Sequence, residues 1–323
     1  MKSAAAVGLA LLAATRCTVV DAPRDPAPRL AIRAPDLEHP VSEADPPPSR
    51  PEDPVKKAVF ERINADRTAA GLLPVAWDAA ASRVADEFTA AQVREGTRGH
   101  FLLDGLPPYA RTALAGIFGL GAENSVAWNT TGSSFHESPV DLGLEGESAM
   151  LGEKPPNDGH RRTILDPDAT HVGVGWAQGG GRFRMAEEFL TRRLAELTVE
   201  RVATVPVTVL FRGRPVAGQH LQFVTLAREP SPRKLTRAEV NARARYTYPE
   251  PHLAYVAEGL KSMRVVGATT EDRVRMAPGG DFSFRFTPPQ AGLWTIVFHF
   301  SDGRTPPKSG GVAVLWVEPA AAR

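Results

Sequence analysis

The stretch NDGHRRTILDPDATHVGVGW, residues 157–176, decides how the chain is read. Asn157-Asp158-Gly159 makes a polar turn that delivers His160 and two arginines. Asp166-Pro167-Asp168 makes a second turn, and Val172, Val174 and Trp176 then alternate with glycines. Turn residues followed by period-two apolar spacing predict a loop leading into a strand. A histidine between a tight turn and a buried strand is placed to line a cleft. Taken alone, it is equally an exposed loop histidine.

Working outward, the glycines at 179–181 predict a hairpin turn, and Phe183, Met185 and Phe189 a returning strand. Upstream, residues 154–159 read as loop, and 140–152 as a helix weakened by its glycines, with Leu142, Leu144, Met150 and Leu151 apolar. Val55, Val59 and Ile63 fall four apart, with Phe60 beside them, and open a helix that Gly71 stops. Asp78 is placed to cap a second helix over 79–95, ended by Gly96. His100 stands just past that end. Residues 103–120 are irregular around one short helix over 109–118. Glu123 follows, and 125–128 starts a strand or a helix.

Beyond Leu197 the helical period mostly stops. Alternation over 202–211, 281–286, 293–298 and 311–317, with Gly/Pro turns between, predicts a β-sandwich of immunoglobulin-like or prealbumin-like type over 197–319. The charged interval 228–261 reads as a helix over 236–244 or as a long loop.

The N-terminal end reads as export machinery. Lys2 precedes the apolar run AAAVGLALLAA, which is too short to span a bilayer. Residues 1–18 are therefore expected to be a signal peptide. Cys17 at its end is a candidate for lipidation, although Arg16 before it departs from the usual lipoprotein pattern. Residues 19–54 are rich in proline and charge, cannot bury enough to offset their ordering entropy, and are expected to form an extended linker. No later stretch is apolar for long enough to be a transmembrane helix. Export is the expectation, to an extracellular, periplasmic or lipid-anchored envelope site.

Composition narrows the function. The 323 residues carry 38 basic and 37 acidic side chains, a formal net charge of +1, which gives no electrostatic case for nucleic acid. Cys17 is the sole cysteine, so neither an intramolecular disulfide nor a cysteine zinc site can form. The residues left to carry chemistry are His100, Glu123 and His160. Two imidazoles and a carboxylate suit zinc or a similar divalent ion, and also acid–base work. They lie on three separate segments, so their spacing does not force them together. His136 and His171 read as peripheral, and Trp77, Trp128 and Trp176 as core.

Six motifs in order change that balance. Asn64-Ala65-Asp66-Arg67 with Gly71-Leu72, Val75-Ala76-Trp77-Asp78, His100, Ala122-Glu123-Asn124, Gly159-His160-Arg161-Arg162-Thr163-Ile164-Leu165 and Thr170-His171-Val172-Gly173-Val174-Gly175 together resemble the CAP superfamily, or SCP/TAPS domain. The resemblance covers under half of the chain, within 55–196. It implies a three-layer α-β-α sandwich, α+β in class, whose cleft holds two histidines and two acids and in several members binds a divalent metal. His100, Glu123 and His160 carry over directly as metal residues, with Glu123 alternatively orienting a histidine, Zn2+ the expected ion and Asn124 and Arg161 supporting. The fourth cleft acid falls where this chain departs from the pattern. Glu147 is the first choice, with Glu145 and Glu153 behind it. The function implied is binding of a metal and of a lipid, glycan or protein ligand. The alternative is a metal-assisted or Ser/His/Glu hydrolase acting on protein or cell-wall material, although Ser148 lacks a nucleophile motif around it.

Overall fold

The computed structural model describes residues 31–33, 50–204, 206–243, 245–260 and 263–318. The expected signal peptide, Cys17 and most of the proline-rich segment lie outside the described residues. Two parts of that segment are described, residues 50–54, which lead into the first helix, and residues 31–33. Ala31–Arg33, strand β1, pairs with the last strand of the chain.

Asp53 opens the first domain by accepting hydrogen bonds from the amides of Val55 and Lys56, which caps α1 (Pro54–Ala69). The short strand β2 (Ala76–Trp77) leads into α2 (Ala79–Glu95), capped by Asp78 and ended by Gly96 in the left-handed conformation. Then come α3 (Pro108–Leu114), β3 (Leu120–Asn129), α4 (Pro139–Leu151), α5 (Gly159–Ile164), β4 (His171–Gly179) and β5 (Arg182–Thr191). The turn before His160 therefore feeds a short helix, and the strand expected from Val172 begins just after it.

The four strands form one sheet in the order β2-β4-β5-β3, which leaves β3 at an edge. Val172 and Val174 point to one face, into a core shared with Val59, Ile63, Leu142 and Met150 of α1 and α4. Gly173 and Gly175 point to the other face, against α2. A Cβ on Gly173 would stand 2.2 Å from Ser82 N, and one on Gly175 2.2 Å from Ala85 C. The helix thus lies backbone against strand, pinned by Ser82 Oγ donating to Val174 O at 2.7 Å. The alternating Val-Gly pattern is what allows three layers at this spacing. Buried Arg67 closes the first layer, donating to the carbonyls of Leu73, Ile164 and Asp166.

The second domain is a sheet of nine strands. It comprises β6 (Leu194–Thr204), β7 (Val207–Pro215), β8 (His220–Glu229), β9 (Leu253–Ala257), β10 (Thr269–Met276), β11 (Phe282–Phe286), β12 (Gly292–Ser301), β13 (Lys308–Glu318) and the fragment β1. A helix, α6 (Arg237–Ala242), sits between β8 and β9 behind a Thr236–Glu239 capping box. The sheet order is β1-β13-β12-β8-β9-β10-β11-β7-β6. Strands far apart in that order meet through their side chains. The Phe286 and Trp294 rings are 4.9 Å apart, and those of Phe282 and Phe298 5.7 Å. One sheet thus folds over a single aromatic core, as a sandwich does. Two details differ from the sequence expectation. The run 202–211 is a hairpin of β6 and β7 rather than one strand. The charged interval holds strand β9, which pairs in parallel with β10.

The domains share a core of their own. Tyr109, Ala110 and Ala113 of α3 pack on Leu293, Val312 and Val314 of β12 and β13. Val312 N donates to Phe118 O at 2.9 Å and Arg193 N to Gly310 O at 2.8 Å.

Gly175→Ala drives a methyl group into the α2 backbone, which has no flexible end to yield. It is expected to destabilise the protein by about 3 kcal/mol, read as a lowered urea midpoint. Wild-type stability in this variant would refute the backbone contact.

Candidate functional site

The site lies where β3 forms the edge of the first sheet. His100 reaches it from the segment after α2, where Gln92 Nε2 donates to Gly99 O at 2.7 Å and fixes the turn. His160 reaches it from the first turn of α5. The two rings are 6.2 Å apart and tilted by 44°. The structure therefore brings together the two histidines that the sequence left on separate segments.

Each imidazole is held by its own carboxylate. His100 Nδ1 lies 2.8 Å from Glu123 Oε1. His160 Nδ1 lies 2.7 Å from Glu153 Oε1, while the His160 amide donates to the other oxygen of Glu153 at 3.0 Å. In each ring the carboxylate fixes Nδ1, which makes Nε2 the nitrogen presented to a ligand. Burial lowers the His100 pKa to about 4, aided by the nearby Arg111 charge and opposed by Glu188. His100 is thus neutral at physiological pH, the form that binds a metal.

Glu123 is a hub rather than a free ligand. Its second oxygen is taken by Arg111 of α3, whose guanidinium also lies over the Phe88 ring at 3.9 Å. Glu188 stands opposite Glu123 in the register of β3 and β5, with Oε1 4.0 Å from Arg111. Burial and the Glu123 charge push the Glu188 carboxyl well above the usual carboxylate range. Burial raises the Glu123 carboxyl as well, against the lowering charge of Arg111, so the two acids together retain a proton beside the guanidinium.

The other acids divide differently from the sequence expectation. Glu147 does not join the histidines. It is fully buried and faces Glu187 from the α4 side of the sheet, and neither of its oxygens has a donor other than that carboxyl. Burial first, and then the charge of Glu187, push its pKa far upward, and burial does the same for Glu187. The pair holds a proton that ordinary carboxylates release. Glu145 is exposed, and Glu153 is the acid that serves His160. The sequence signal for this choice was weak, because Glu153 lies past the end of α4, beyond its helical spacing.

Asn124 ties the α4 face of the sheet to α5. Its amide donates to Glu187 Oε2 at 3.1 Å and to the His160 carbonyl at 3.3 Å. Arg161 donates to Leu151 O at 2.7 Å and closes the end of α4. Ser148 Oγ donates to Leu144 O within its own helix, on an exposed face, so it is no partner for either histidine. His136 is exposed, and His171 bonds its neighbour Thr170. Sequence reading missed Arg111, Glu187 and Glu188. Two adjacent acids inside the apolar strand Met185–Leu190 are the signal that could have found the latter two.

The sequence model of the CAP family, the cysteine-rich secretory protein family, matches residues 60–191. These residues are a CAP domain. The match includes His100, Arg111, Glu123, Glu153, His160 and Glu188, and ends before β6. Among solved structures, the domain is similar to an extracellular protein containing an SCP domain from Bacillus anthracis str. Ames, at 19% identity over 42% of this chain and 39% of that one, TM-score 0.34. An outer surface protein of Borrelia burgdorferi matches at 18% identity over 42% of this chain and 91% of that one, TM-score 0.33. NaASP2, solved with Zn2+, matches at 11% identity over 45% of this chain and 82% of that one, TM-score 0.33. The chain thus spans well under half the length of the first of these. No curated protein matches.

The Glu147–Glu187 proton makes stability depend on pH. A folded-state pKa raised above the unfolded value gives stability that is complete below the ordinary carboxylate range. That stability falls as pH rises toward the folded value, by up to about 1.4 kcal/mol per pH unit for each retained proton. Glu147→Gln supplies a neutral group directly. It is expected to lose less stability than wild type between pH 5 and pH 8 in urea unfolding. Equal losses in the two proteins would show that the pair does not retain the proton.

Proposed function

We propose that the protein is an exported CAP-domain protein whose two-histidine cleft binds a divalent metal, Zn2+ first among candidates, and with it a lipid, glycan or protein ligand. The observation that carries this reading is the pair of carboxylate-held imidazoles, His100 with Glu123 and His160 with Glu153, 6.2 Å apart. A carboxylate on Nδ1 fixes the tautomer and raises the basicity of Nε2, as at histidine-ligated zinc sites. The residues fit two ligand positions. They do not supply the triad expected from the sequence, since Glu123 is engaged by His100 and Arg111. Among the described residues, no three His, Cys, Asp or Glu side chains are grouped as a ligand set. Water or the ligand itself would fill the remaining positions.

A bound ion would act here as a Lewis acid or as an anchor for a ligand oxygen. The chain's own contribution is to hold His100 neutral, to fix both rings and to retain a proton on the Glu123 and Glu188 pair. Export is read from the first 18 residues. No helix among the described residues is long and apolar enough to cross a membrane.

Zinc titration by calorimetry tests the cleft. Wild type is expected to bind, and His100→Ala/His160→Ala to show no heat above buffer. Glu153→Gln, which releases the His160 ring, is expected to weaken binding about 10- to 100-fold. Undiminished binding by the double histidine variant, with its melting temperature preserved, would remove the metal from this cleft.

A further inference from the structure

The first domain does not complete its own cleft. Residues 245–248 of the second domain, Arg-Tyr-Thr-Tyr, lie across it. Arg245 Nη2 donates to Asn157 Oδ1 at 2.9 Å, on the loop that leads to His160. The next residue, Tyr246, sets its ring edge-on to His100, 5.0 Å between centroids. Two consecutive residues thus span the gap from the His160 loop to His100.

The same segment satisfies the free edge of the sheet. β3 has no strand beyond it, so the groups of Gly121 and Glu123 that face away from β5 lack ladder partners. The Tyr246 hydroxyl accepts from Glu123 N at 2.6 Å. The Tyr248 hydroxyl accepts from Gly121 N at 3.2 Å and donates to Gly121 O at 2.9 Å. The Tyr248 ring stacks on Tyr109 at 4.5 Å. Two phenols stand where another strand would pair, and they come from over a hundred residues away.

The consequence is unequal access to the two histidines. The His100 side chain is 9% exposed, and that of His160 is 29% exposed. Tyr246 also lines a cavity of about 410 Å³ with Phe101, Tyr109, Arg233 and Arg243. Its ring therefore has space beside it rather than packed core on every side. Arg245 and Asn157 are both exposed, so their bond is a weak latch exchangeable with water.

We propose that residues 245–248 are a cover, supplied in cis by the second domain, that sets access to the histidine cleft, with Tyr246 the residue that shields His100 and Arg245 the latch at the His160 side. A ligand that engages His160 alone meets an open site. One that needs both imidazoles must displace the Tyr246 ring or fit against it, which makes Tyr246 a specificity-determining residue. This goes beyond the metal reading and holds whichever ligand occupies the cleft.

Carbethoxylation of the full chain by diethyl pyrocarbonate, mapped to single histidines by mass spectrometry, tests it without any metal. Reactivity follows the fraction of time a ring is uncovered, so a cover closed nine-tenths of the time slows His100 about tenfold. In wild type, His100 is expected to react at least about tenfold more slowly than His160. Tyr246→Ala is expected to bring the two rates together. Arg245→Ala, at an exposed position, is expected to speed His100 a few-fold with an unchanged melting temperature. Equal rates in wild type would overturn the proposal. So would continued protection of His100 in a folded Tyr246→Ala. If Tyr246→Ala does not fold, Arg245→Ala and Tyr246→Phe decide, and unchanged protection in both overturns it. Failure of zinc binding with the expected reactivity pattern would sink the metal reading and leave the cover intact.

Discussion

The buried carboxylate of Glu123 is the constraint that the site depends on. A charge in that position is costly unless it is paired and hydrogen-bonded. It is matched on one oxygen by His100 and on the other by Arg111, with Glu188 opposite it on the neighbouring strand. Those partners come from the end of α2, from α3 and from β5. Satisfying one acid therefore fixes the placement of three elements around the cleft. The neutral state of His100 belongs to the same arrangement, because burial disfavours its charge and Arg111 beside it adds to that.

The edge position of β3 extends that constraint to the second domain. An edge strand carrying a buried acid has to keep its outer amides satisfied without admitting another chain. Tyrosine hydroxyls from residues 245–248 do this at Gly121 and Glu123, while α3 is held between the two domains by Tyr109, Ala110 and Ala113. The inter-domain surface is apolar and hydrogen-bonded at several points, unlike the loose contact expected of beads on a linker. The second sheet therefore forms part of the setting of the cleft as well as carrying it.

Much of the first domain was legible because its signals are local. Asp78 and Gly96 bracket α2 by capping chemistry, and the alternation of Val172 to Gly175 gives both a strand and the glycine track on which α2 lies. His100, Glu123 and His160 could be named from motif order. Glu147, the first choice for the fourth acid, pairs with Glu187, while Glu153 is the acid bonded to His160. Glu147 is helical and apolar-flanked, as a cleft acid was expected to be, and its face of α4 meets Glu187, which Asn124 links to the His160 carbonyl. In the second domain, β9 and β10 escaped notice because their pairing is parallel and long-range, and charged residues interrupt β10.

The sequence by itself determined the α+β class, the three-layer fold of the first domain and the strand-rich character of the C-terminal region, since periodicity, caps and short motifs are local properties of the chain. Only the tertiary structure decided which acid serves which histidine, that Glu123 is saturated by Arg111, and that Tyr246 lies over His100. Those outcomes depend on which buried charges and unpaired edge amides meet after folding, and no spacing along the chain encodes a contact between residues 123 and 246.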